Sequence, residues 1–151
     1  MDDMDKRILR ILQEDARITN LKLAEKVNLS PTPCLARVKR LENDGVIERY
    51  SAVIDPKTVD LAVCAMVLIK IGNKTREADE AFATAIKKIR TVTECYTLAG
   101  SYDYLCKVRA RDIEEYDSIV RDELSRLPNL SGLETLFVLR TLIESRGLPV
   151  R

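Results

Sequence analysis

Histidine and tryptophan are absent from all 151 residues, and glycine and proline number five each. Without histidine, the usual general base and the commonest zinc ligand are both missing. The four cysteines, Cys34, Cys64, Cys95 and Cys106, never fall in a C-x-x-C spacing. A zinc centre is therefore not expected, and each cysteine lies in an apolar stretch suited to a small buried hydrophobe. No G-x-S-x-G, P-loop or G-x-G-x-x-G string occurs, which removes the common sequence signals of hydrolases, phosphate loops and dinucleotide sites. Nor is there an excess of charge of one sign: 25 basic residues face 24 acidic ones, for a net charge of +1. The longest apolar run, Leu61 to Ile69, is too short to span a bilayer. The start, Met1 to Asp5, is acidic and has no apolar h-region, so no signal peptide is expected. A soluble cytoplasmic protein with reduced thiols, no metal, no cofactor and no membrane partner is the expectation.

What is present is 46% apolar residues, enough for a packed core, and one stretch that organises the first third. In Ser30-Pro31-Thr32-Pro33-Cys34, Ser30 is expected to cap a helix through its hydroxyl. Pro31 occupies the first helical position, where a missing N–H costs nothing. Cys34, Leu35, Val38 and Leu41 then follow the spacing of one buried face, and Gly45 ends the helix. Arg37, Lys39 and Arg40 lie on the other side. A stiff, polar helix start followed by cations suits a DNA major groove. Between Arg17 and Arg49 seven cations face four anions, net +3, a mild local bias.

Two helices are expected before this one. Asp2 or Asp3 caps the first, with Ile8, Leu9, Ile11 and Leu12 inward. Thr19 caps the second, with Leu21, Leu23, Ala24 and Val27 inward, and Asn28-Leu29 turns into Ser30. That order is a helix-turn-helix. Val46 to Ile54 is β-branched and reads as a strand or wing. The strings Asp5-Lys6-Arg7-Ile8-Leu9, Leu23-Ala24-Glu25-Lys26-Val27-Asn28-Leu29-Ser30-Pro31-Thr32-Pro33-Cys34, Arg37-Val38-Lys39-Arg40-Leu41-Glu42 and Gly45-Val46-Ile47 resemble the DNA-binding domain of the leucine-responsive regulator/AsnC family, the feast/famine transcription regulators. The resemblance runs on through nearly the whole chain. It implies double-stranded DNA as a partner, met by Ser30, Thr32, Pro33, Arg37, Lys39 and Arg40. Arg37 is placed near base edges, and Lys39 and Arg40 near phosphates.

The expected organisation is a DNA-binding domain over residues 1–50, a linker over 51–61 and a second domain over 62–151. In the second, Ala62–Ile71, Val92–Leu98, Tyr102–Ala110 and Leu133–Ile143 read as strands, and Thr75–Arg90 and the segment after Asp112 as helices. The order β-α-β-β-α-β is the ferredoxin-like plan, so the fold class is α+β. Both faces of the first and last strands are apolar, which suggests helices on one side and a second copy of the sheet on the other.

Ala99-Gly100-Ser101-Tyr102-Asp103-Tyr104 joins two strands. Amides around Gly100 could bind a carboxylate and Asp103 could meet an ammonium, which suits a free amino acid. In the family, effector amino acids lie against this loop where dimers meet. The resemblance assigns to that site Thr97, Gly100, Ser101, Tyr102, Asp103, Ile113, Leu136, Phe137 and Val138. The last three are apolar, which favours an apolar effector such as leucine or methionine. The resemblance also implies a homodimer that assembles further, for example to an octamer. The same β-α-β-β-α-β order serves RNA-binding modules and some small enzymes, and these are the competing readings.

Overall fold

The computed structural model describes residues 1–143 and 147–151. They divide into two compact units, Met1–Val53 with Leu142–Arg151, and Ile54–Thr141. Leu142, Ile143 and residues 147–151 thus group with the first unit, whereas the expected second domain ran over 62–151. The Arg10 side chain donates to the carbonyl of Val150 at 3.0 Å, and the Gln13 amide donates to that of Leu148 at 3.1 Å.

The first unit is three helices: α1 (Asp3–Glu14), α2 (Asn20–Val27) and α3 (Pro31–Asn43). Asp2 caps α1 in a reciprocal box with Asp5. Thr19 caps α2 by accepting from the Lys22 amide. Asn28, at φ 57°, makes the left-handed turn between α2 and α3. The core is Ile8, Leu9, Leu23, Ala24, Val27, Cys34 and Leu41. Leu21 and Leu35 are not in it; both are exposed. Each lies roughly 110° round its helix from the middle of that helix's buried set, on the side that three short helices leave open. Gly45, at φ 70°, ends α3. Its amide donates to Glu42 and that of Val46 to Leu41, the paired bonds of a Schellman turn. The expected strand at Val46–Ile54 does not form. The segment is irregular, and Val53 is 88% exposed. Among the described residues no neighbouring strand in the unit offers a ladder, and β-branching alone does not make one.

In the second unit a 3-10 turn (Pro56–Val59) leads to β1 (Val63–Ile71), α4 (Arg76–Ile86), β2 (Val92–Thr97), β3 (Tyr104–Ala110), α5 (Ile113–Asp122) and β4 (Leu130–Phe137). The strands form one antiparallel sheet in the order β2-β3-β1-β4. Thr75 and Asp112 cap α4 and α5. Helix α4 ends four residues earlier than expected, although Ile89 stays buried. Ile113 was expected inward; it is 57% exposed at the first position of α5. Strand β4 begins three residues earlier and ends six earlier than expected, leaving Leu139, Leu142 and Ile143 exposed. Its partner sets the limit: Phe137 is already opposite Ala65, close to where β1 begins.

The helix-covered face holds Ala65, Val67, Ile69, Phe82, Tyr104, Cys106 and Val108, with the Phe82 and Tyr104 rings stacked at 3.9 Å. The opposite face is not uniformly apolar. Pairing puts Cys64, Met66 and Leu68 beside Arg109, Lys107 and Leu105, with Leu136 and Glu134 on the far side. An apolar stripe therefore runs between charged flanks. Strand β2, which carries Tyr96, is an edge strand.

Candidate functional site

The α3 entrance is built differently from an ordinary capped helix. Ser30 is extended and makes no side-chain cap bond. Of the two amides a capping hydroxyl can bond, those two and three residues on, Pro33 removes the second, and the Thr32 amide is not used. Instead the Asn20 amide donates to the Pro31 carbonyl at 2.8 Å, tying the start of α2 to the start of α3. Ser30, Thr32 and Pro33 are all exposed, and the Ser30 hydroxyl is not spent on the helix.

The cations behind them do not behave alike. Arg37 donates from Nη1 to Asp2 at 2.6 Å and to Asp5 at 2.8 Å. Arg40 donates to the other oxygen of Asp5 at 2.6 Å. Asp5 is only 1% exposed, and a buried carboxylate is tolerated only when paired. The Asp2 carboxyl is lowered to about 2, first by the Asp5 amide it accepts and then by Arg37. Asp5 is also lowered, as its bonds to Asp2 and Arg37 outweigh its burial. Arg37 is therefore an anchor that fixes α3 on α1, and to touch a base it would have to leave both carboxylates. The expected placement of Arg37 near base edges is thus set against two carboxylate partners already in place. The sequence carried a signal: Asp2 and Asp5 have capping-box spacing, and Arg37 and Arg40 stand three apart on one face. Lys39 is exposed. Leu35, expected in the core, shares this outer side of α3.

The candidate effector residues are not gathered in one place. Asp103 heads β3: its amide donates to Ile69, and its carboxylate accepts from the Ile71 amide at 3.0 Å and pairs with Lys74 at 2.7 Å. The Lys74 contact, then the Ile71 amide, hold its carboxyl below the usual range. It is a clamp between strands and not a bare anion. Tyr102 bonds Glu134 through its hydroxyl, and Lys70 sits over its ring at 5.0 Å. Gly100 and Ser101 are exposed, and nothing lies within 4 Å of where a Gly100 Cβ would be. Thr97 lines a groove of about 420 Å³ with Phe82, Ile86, Lys87, Cys95 and Tyr104.

Ile113, Leu136, Phe137 and Val138 are at the other end of the sheet. Tyr104 is opposite Ile69 and Phe137 opposite Ala65, four residues along β1 or roughly 13 Å. Leu136 and Phe137 also point to opposite faces; Phe137 packs edge-on against Tyr116 on the helix side. Within one chain the loop and the apolar residues do not enclose a common pocket.

A three-helix unit that presents an exposed, proline-stiffened helix start, joined to a ferredoxin-like unit with an open sheet face, defines a DNA-binding module coupled to a sensing module. Two family models cover these parts: winged helix-turn-helix DNA-binding over residues 1–48, and Lrp/AsnC ligand binding domain over residues 64–148. The chain is 41% identical to the transcriptional regulator AzlB of Bacillus subtilis over 99% of its own length and 96% of the relative's. It is 36% identical to the leucine-responsive regulatory protein of Escherichia coli, covering 100% and 92%. Among solved structures, a transcriptional regulator from Neisseria meningitidis crystallised as an L-Met complex superimposes with a TM-score of 0.94 at 36% identity, covering 99% and 96%. The chain belongs to the Lrp/AsnC family of transcription regulators.

Proposed function

We propose that this regulator reads duplex DNA with the exposed side of α3 and senses a free, apolar amino acid at a site completed by a second copy of the chain. The observation that carries the reading is the match of a DNA-binding model and an Lrp/AsnC ligand-binding model to its two units. For DNA, Thr32, Leu35 and Lys39 form the outer side of α3, with Ser30 and Pro33 at its start. A hydroxyl and an apolar side chain near base edges, with lysine toward phosphate, suit a major-groove reader. Arg37 and Arg40 hold α3 at the angle this requires.

For the effector, the loop Gly100–Asp103 and the residues Ile113, Leu136, Phe137 and Val138 lie at opposite ends of one sheet. Bringing them to one ligand takes residues of different copies. The apolar stripe Cys64, Met66 and Leu68 supports a dimer through the open sheet face, and further dimer contacts would then set loop against loop. Leucine and methionine are the favoured effectors: the candidate side-chain pocket is apolar, and a relative at 36% identity was solved as an L-Met complex.

A thermal-shift screen of the twenty amino acids tests the sensing half. An effector at 100 Kd should stabilise by about 2.7 kcal/mol, and the same compound should alter the shift of a duplex DNA fragment in a gel. If no apolar amino acid raises Tm or alters DNA binding, the effector assignment is wrong. Sedimentation at low micromolar concentration tests the assembly; a stable 17.1 kDa species would count against it.

A further inference from the structure

Cys95 and Cys106 face each other across the β2–β3 hairpin as direct antiparallel partners. Such partners have Cα atoms roughly 4.5–5.5 Å apart, inside the range a disulfide bridges. Their sulfurs are 3.2 Å apart, with the Cys106 thiol donating to Cys95. Burial differs sharply. Cys95 is exposed on the edge strand and lines the groove of about 420 Å³ beside Lys87 and Thr97. Cys106 is 0% exposed behind it. Cys34 and Cys64 are also buried, at 0% and 8%.

We propose that Cys95 and Cys106 are a redox-modification site, in which a hydroperoxide oxidises the exposed Cys95 and the buried Cys106 closes it to a disulfide. The chemistry needs a thiolate that a small oxidant can reach, with a resolving thiol in contact. Both conditions are met by the groove and the sulfur contact. The Cys106 hydrogen bond also pulls the Cys95 thiol below its ordinary range, while that contact and burial push the Cys106 thiol up. This polarity fixes the order of attack. The Cys95 thiolate takes the terminal oxygen of the peroxide, the O–O bond breaks, and with a proton from solvent hydrogen peroxide leaves as water. The sulfenic acid then meets the Cys106 sulfur. The S–S bond forms as the S–O bond breaks, and the Cys106 proton leaves with the hydroxyl as a second water. Two thiols and one peroxide thus give one disulfide and two waters. The turn Leu98–Asp103 lies between the two cysteines, so oxidation covalently closes the hairpin that carries the candidate effector loop.

The pair can be tested on the intact protein. Arg90 and Lys107 bound a tryptic peptide, Thr91–Lys107, that contains both cysteines and no internal Lys or Arg. Reduced protein is exposed to hydrogen peroxide, the remaining thiols are alkylated in denaturant with N-ethylmaleimide, and the digest is weighed. The expected result is a Thr91–Lys107 peptide two hydrogen masses lighter than its reduced form, without alkyl groups and restored by dithiothreitol. Cys34 and Cys64 should stay alkylated as in untreated protein. Cys106→Ala should leave Cys95 as a sulfenic acid that dimedone captures. The exposed substitution Cys95→Ser, which spares the core, should leave Cys106 reduced and alkylatable. The proposal is overturned if the peptide keeps two alkyl groups, whether or not Cys34 or Cys64 oxidises. It is equally overturned if Cys106 oxidises at the parental rate in Cys95→Ser, or if Cys95 instead cross-links two chains on a non-reducing gel.

Discussion

The two units solve the same problem with different means. In the second, fifteen buried apolar and aromatic side chains pack between one face of a four-stranded sheet and its helices, and strand register fixes those on the sheet. In the first, seven small or medium apolar residues from three short helices make up the core, and a carboxylate, Asp5, is buried beside them. Short helices have no ladder to fix their mutual angle. The fork formed by Asp2 and Asp5 with Arg37 and Arg40 supplies that angle by directed ion pairs. The lesson is where orientation comes from: pleated backbone in the sensing unit, side-chain charge in the DNA-binding unit. A buried ionic cluster is a weak source of net stability, but removing one member of it is costly.

Truncating the larger core should give the largest effect. Phe82 is 1% exposed and stacked on Tyr104, so Phe82→Ala should cost the second unit about 3–5 kcal/mol. Hydrogen exchange read by segment checks it: protection should fall in β1, β3 and α4 and hold in α1 to α3. Equal loss in both units would mean that they do not have separate cores.

Next comes the charge that orients α3. Asp5→Ala removes the acceptor shared by two arginines and half of the α1 capping box. Because both arginines keep access to water, the expected cost is about 2–4 kcal/mol in the first unit, with DNA binding lost in step and exchange in the sheet unchanged. Acid should show the same cluster. The Asp2 carboxyl lies near 2 when folded against 3.8 ordinarily. A depressed carboxylate stabilises above its unfolded value and loses that contribution as pH falls through its folded one. The advantage of the parent over Asp2→Asn in urea denaturation should therefore be complete above pH about 4 and gone near pH 2. An advantage independent of pH would show that the Asp2 charge is not what holds α3.

A smaller effect separates an orienting cation from a reading one. Lys39→Ala should leave folding untouched, weaken binding evenly across DNA sequences and lower the salt slope by about 1. Arg37→Ala should disturb exchange in α1 before any salt effect is seen. If Lys39→Ala left the slope at the parental value, lysine–phosphate contact on this side of α3 would be ruled out.

Much of this was legible in the sequence, for physical reasons that differ from element to element. Caps at Asp2, Thr19 and Asp112 and the stop at Gly45 are local chemistry, readable from a few residues. The β-α-β-β-α-β order followed from hydrophobic periodicity. What local reading missed depends on distant partners. Val46–Ile54 has strand composition and, among the described residues, no strand to pair with. Strand β4 stops where β1 begins. Leu21 and Leu35 fit an apolar stripe that two neighbouring helices do not reach across. The anchoring pairs of Arg37 were not legible because its partners, Asp2 and Asp5, are more than thirty residues earlier in the chain.

At Asp103 the sequence suggested an ammonium partner, and the structure shows a strand clamp. The carboxylate has two tasks, accepting from the Ile71 amide and pairing with Lys74. Asparagine keeps an acceptor for the first and abolishes the charge needed for the second. Lys74 is 68% exposed, so losing that pair should change stability by no more than an ordinary surface substitution does. Asp103→Asn should therefore melt with the parent and bind DNA as the parent does, which removes unfolding as an explanation for any lost response. An effector's ammonium would need a charged partner when it leaves water. If Asp103 is that partner, as the loop position suggests, the asparagine protein should need at least tenfold more effector for the same shift in DNA binding. Titrating both proteins side by side, with the amino acid found in the thermal screen, decides it. A response at the parental concentration would leave Asp103 as the clamp between β1 and β3 and nothing more. The ammonium site would then have to come from another acidic residue, with Asp112 and Glu134 next to be changed.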